Sequence, residues 1–136
     1  MQRKHKAREA YFKDVLYELY RLLKRYDAAV KFEWVNGICY YGFLVGEVFA
    51  HNQCAVRPND VLDPQSLRDM LKTMKAMPKT KQRLHKFMLA LIEFCEEYGM
   101  RVTRSGSIYI NSIEVTSVFE LTPYYIYYEW QHFDVA

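Results

Sequence analysis

The residues with the most chemical promise in this chain are its thiols, its imidazoles and its clustered cations. His51 and Cys54 lie three residues apart, a spacing that two metal ligands can share. A closed zinc site takes about four such ligands, and no second Cys/His pair accompanies this one. The other thiols, Cys39 and Cys95, fall on an alternating apolar segment and on an apolar helical stripe, where cysteine serves as a small core residue. A nucleophile at Cys54 with His51, His85 or His132 as base would need partners that meet only in the fold, and no activating motif surrounds it. The sequence has no Gly-rich phosphate loop, no nucleophile elbow and no His-Glu-x-x-His. No metal, cofactor or covalent chemistry is expected, and the chain reads as non-enzymatic.

The cations are more informative because they are segregated. Residues 68–86 hold seven basic side chains, Arg68, Lys72, Lys75, Lys79, Lys81, Arg83 and Lys86, against Asp69 alone. Residues 87–136 reverse the balance, with two basic and seven acidic side chains. The overall charge of +3 hides this contrast. Within the predicted helix at 79–98 the cations come first and Glu93, Glu96 and Glu97 come last, which opposes the helix dipole. An anion docked at the helix start would relieve that conflict. Lys72, Lys75, Lys79, Lys81, Arg83, His85 and Lys86 are therefore a candidate seat for a phosphate or carboxylate, in nucleic acid or in a nucleotide-like ligand. The competing reading is a set of solvated charges facing acidic residues of neighbouring elements.

A third group is aromatic. Tyr124, Tyr125, Tyr127 and Trp130 are candidate interface residues in a tract that reads as an aromatic strand, lining the core or forming a self-association edge. Stacking on single-stranded bases is a further use of such a tract, opposed by the neighbouring Glu120, Glu129 and Asp134.

These groups must be positioned by elements legible in the pattern. Phe12, Leu16, Leu19, Leu23 and Tyr26 recur every three or four residues, which predicts a helix over 3–27. The period then drops to two: Val30, Phe32 and Trp34 alternate with Lys31 and Glu33. Asn36-Gly37 signals a hairpin, and the return strand, read as running from Ile38 to Ala50, is apolar on both faces and so central in its sheet. Asp63-Pro64 starts a second helix, with Asp63 as N-cap, and Pro78 ends it. A third helix carries the stripe Leu84, Met88, Leu91, Cys95 and Tyr98 and stops at Gly99. Beyond it, Ser105-Gly106 turns a hairpin and residues 113–121 alternate.

Blocks of helices and strands in this order predict an α+β fold: an N-terminal helix, a β-hairpin, two central helices and C-terminal antiparallel strands on one mainly antiparallel sheet. The length of 136 residues suits one domain spanning 1–136. Three widely spaced cysteines suit free thiols in a reducing compartment. No apolar signal core follows the basic first residues, and no apolar run approaches membrane-spanning length. Cytoplasm is the expected location.

The expected function is that of a non-enzymatic interaction module of the small inhibitor or regulator type, which binds and occludes or bridges a macromolecular partner, with self-association a natural consequence. The rival is a phosphate-directed binder working through the basic segment at 68–86.

Overall fold

The computed structural model describes residues 2–36, 38–51, 61–73 and 82–134. The connection containing Pro58 and the Met77-Pro78 break lie outside the described residues, as do Cys54, Lys75, Lys79 and Lys81.

Helix α1 (Gln2–Tyr26) forms on the predicted stripe. Phe12, Leu16, Leu19 and Leu23 are buried, together with Val15. The helix stops at Asp27, whose φ of 47° is the left-handed conformation that Asp tolerates better than most side chains. Its N–H donates to the Lys24 carbonyl at 3.2 Å.

Strands β1 (Ala28–Val35), β2 (Ile38–Val45) and β3 (Val48–His51) follow as an antiparallel sheet in that order. Val35 pairs with Ile38, as the expected hairpin requires, and Asn36 takes a positive φ of 52°. The single return strand read from the sequence is corrected here. Gly46, at φ 59°, reverses the chain so that Val45 faces Val48. The apolar run is two strands folded against each other. β2 is central, as expected, and Tyr41, Phe43 and Val45 are buried.

Helix α2 (Pro64–Thr73) starts as its sequence predicts. The Asp63 carboxylate accepts from the Ser66 N–H at 2.8 Å, and the Ser66 hydroxyl accepts from the Asp63 N–H at 3.0 Å, so the cap is reciprocal. Helix α3 (Gln82–Tyr98) buries Leu84, Met88, Leu91 and Cys95 of the expected stripe, and Phe87, Ile92 and Phe94 beside it. Gly99, at φ 62°, ends it.

The second sheet holds β4 (Val61–Leu62), β5 (Met100–Thr103), β6 (Ser107–Ile110) and β7 (Ile113–Ser117), antiparallel in that order. The α+β class and element order are as expected, but the strands form two sheets instead of one. Val30 of β1 also bridges Leu121, four residues beyond β7, and their backbone N–H and C=O groups exchange two hydrogen bonds of 2.9 Å. The buried Tyr41 hydroxyl adds a longer tie to the Val102 carbonyl at 3.4 Å.

The expected final aromatic strand is helix α4 (Pro123–His132). Thr122 is its N-cap, accepting from the Tyr125 N–H at 3.1 Å, with Pro123 in the first turn. This is the chemistry of Asp63-Pro64 repeated, and it outweighs the β-propensity of the tyrosines, which depends on context. Ile126 is fully buried, with Trp130 and Phe133 half-buried four and seven residues on, a helical spacing. One hydrophobic cluster draws residues from all four helices and both sheets. No helix among the described residues is long and apolar enough to cross a membrane.

Candidate interaction surface

The basic segment is divided among several tasks. Arg83, in the first turn of α3, donates to the carbonyl of Arg25 in the last turn of α1 at 3.3 Å. The last four carbonyls of a helix have no partner within it, so this guanidinium caps α1 and meets the negative end of its dipole. Arg68 on α2 pairs with Glu96 on α3. The reversed charges of α3 thus have local partners: a cation at its start serves another helix, and an acid near its end receives one. Lys72, His85 and Lys86 are exposed. Lys72 stands in the last turn of α2, where a cation suits the dipole.

Cys95 is buried, and burial, with Asp63 nearby, pushes its thiol up to about 12. A thiol so shifted stays protonated and is a poor nucleophile. The His132 ring stacks on Tyr128 with centroids 4.1 Å apart, and its Nδ1 lies 2.9 Å from the Tyr128 carbonyl. Among the described residues, no group of three His, Cys, Asp or Glu side chains could hold a metal ion.

The aromatic candidates do converge. Trp130 packs on Tyr17 and Tyr127 on Tyr20, each pair with centroids 5.0 Å apart, so the inner side of α4 is zipped to α1 by rings. Lys13 lies over Trp130 at 5.7 Å, within reach of a cation–π contact. Glu129 accepts from the Thr116 hydroxyl at 2.7 Å and holds α4 to β7. The outer side is different. Tyr124 is 73% exposed and Tyr128 49%, and Tyr125 packs at 6.5 Å against Phe119, itself 77% exposed.

Phe119 was not among the residues singled out from the sequence, where it looked like one position in an alternating strand. The backbone on either side of it is pinned. Val118 donates to the Gly106 carbonyl at 2.9 Å, and Leu121 is locked to Val30. Val118, just before it, and Leu121, two residues after it, are buried, at 7% and 0% exposure. Gly106 is required there: its φ is 87°, and a Cβ on it would collide with the Val118 carbonyl. The result is a large apolar ring held outward on an anchored bend. Glu114, Glu120 and Asp134 supply acidic charge close in sequence to this surface.

Compared with known proteins, the chain matches no family model, no curated protein and no solved structure.

Proposed function

We propose that the chain is a non-enzymatic interaction module that docks on a protein partner through Phe119 and the outer tyrosines of α4, occluding or bridging that partner. The observation that carries this reading is the exposure of Phe119 on a bend whose flanking Val118 and Leu121 are anchored and buried. Water gains nothing from an outward phenyl ring, and exposed apolar patches of this kind mark interaction sites. Aromatic side chains that lose little freedom on docking are the usual anchors of protein interfaces. Tyrosine hydroxyls and nearby carboxylates favour a partner that offers an apolar pocket with a cationic rim. A second copy of this chain offers exposed cations at Lys72 and Lys86.

The test is sedimentation equilibrium across concentration and salt, comparing wild type, Phe119→Ala and Lys72→Glu with Lys86→Glu. Salt-sensitive association that both variants weaken supports self-docking through this face. A wild type that stays monomeric to about 1 mM, where binding free energy falls to about 4 kcal/mol, rules out a second copy as the partner.

The phosphate-directed reading rests on the exposed Lys72, His85 and Lys86 and on the cation-rich sequence joining α2 to α3. Its expected signature is oligonucleotide binding that weakens steeply as salt rises. Arg68 and Arg83 weigh against it, since both already serve contacts within the fold.

A further inference from the structure

A groove of about 400 Å³ lies between α1 and α3. Helix α1 contributes Glu18, Arg21, Leu22 and Arg25, and α3 contributes Phe94, Glu97 and Tyr98. Residues 18, 21, 22 and 25 form one continuous helical face, as do 94, 97 and 98. The two helices run antiparallel here. The start of α3 reaches the end of α1 through Arg83 and Arg25, while Tyr98, at the end of α3, feels Glu18 from further back along α1.

That geometry sorts the charges. Glu18 and Glu97 line the groove with Tyr98, whose hydroxyl is pushed up by burial, then by Glu97 and Glu18. Arg25 lies toward the other end, and Arg21, one turn before it, stands between, within reach of Glu18. Leu22, half-buried, and Phe94, buried, are the apolar residues between. Glu18 and Arg25 are seven residues apart, about 10 Å at the helical rise. The pair between Arg21 and Glu18 is loose, at 3.4 Å with both side chains well exposed, so a ligand can displace it at little cost.

From this layout we infer that the groove binds a small bipolar molecule the size of a tripeptide, its ammonium group at Glu18 and Glu97 and its carboxylate at Arg21 and Arg25. The volume falls within the range of small-molecule sites, about 300–1,000 Å³. An extended tripeptide reaches about 10 Å between its charged ends, matching the separation along α1.

The experiment titrates the isotope-labelled full chain with the peptide Ala-Leu-Ala in three forms: free, N-acetylated and C-amidated. The free peptide is expected to shift the backbone amides of 18–25 and 94–98 with a Kd of about 1 mM. Each blocked form removes one charged contact and binds about tenfold more weakly. In an Arg21→Gln, Arg25→Gln variant, amidation no longer matters while acetylation still does. This variant keeps the Arg25 carbonyl that Arg83 caps, and Glu97→Gln provides the opposite arm, where acetylation ceases to matter. Three peptides that bind equally, or no shifts in these helices at about 10 mM, would overturn the inference.

Discussion

Replacing Phe119 by alanine separates folding from docking. Phe119 keeps 77% of its surface exposed, so folding hides only about a quarter of it. Fully burying such a side chain contributes about 1.5–3 kcal/mol. In proportion, Phe119→Ala should lower folding stability by only about 0.3–0.7 kcal/mol. The remaining surface is available to a partner and is worth about 1.2–2.3 kcal/mol if docking buries it, roughly an 8- to 50-fold loss of affinity. Urea denaturation reads the first quantity and sedimentation equilibrium the second. The two together are decisive because a general weakening of the fold would move both. A stability loss above about 2 kcal/mol would mean the ring is buried in solution and the bend around it is wrongly placed. Unchanged association, in conditions where the wild type associates, would remove Phe119 from the interface.

Leu91→Ala, at a fully buried position of α3, should cost about 2–5 kcal/mol in urea melts, whereas a change under about 0.5 kcal/mol would mean the stripe faces elsewhere. Thr122→Ala removes the N-cap of α4 and should cost about 0.5–2 kcal/mol with a loss of helical circular dichroism, which a strand at this position would not show. Cys95 gives a pH dependence. Its thiol is raised from an ordinary value of 9.0 to about 12, so the unfolded chain releases this proton first and stability falls as pH rises between those values. The slope from this group is at most about 1.4 kcal/mol per pH unit, and Cys95→Ala should flatten the alkaline limb of a stability curve by that amount. Below pH 9 the two curves should run parallel.

The elements most legible in the sequence were those with a local cause. The α1 stripe follows from Phe12, Leu16, Leu19 and Leu23 alone, because burial of one helical face depends on spacing. The start of α2 follows from Asp63-Pro64, and the first hairpin from Asn36-Gly37, because caps and tight turns are settled within four residues. Two readings failed where local signals competed. Gly42 and Gly46 are indistinguishable in an apolar run, yet only Gly46 turns the chain, since Val45 and Val48 must pair across it. Thr122-Pro123 carries a helix start as plain as Asp63-Pro64, but five following residues of high strand propensity masked it. Propensity lost because Ile126, Trp130 and Phe133 pack inward only at helical spacing.

The candidate sites divide in the same way. The segregation of charge, the abundance of tyrosine and the burial of the Cys95 stripe were determined by the sequence itself, since they need no knowledge of which elements touch. Which cations are engaged was decided only in three dimensions. Arg83 meets Arg25 across 58 positions, and Arg68 meets Glu96 across 28. Sequence spacing says nothing about such pairs, because a contact between distant residues depends on how two helices cross. Phe119 makes the same point from the other side. Its exposure comes from neighbours locked to Gly106 and Val30, and alternation along one strand carries no information about a bend held in place by two others.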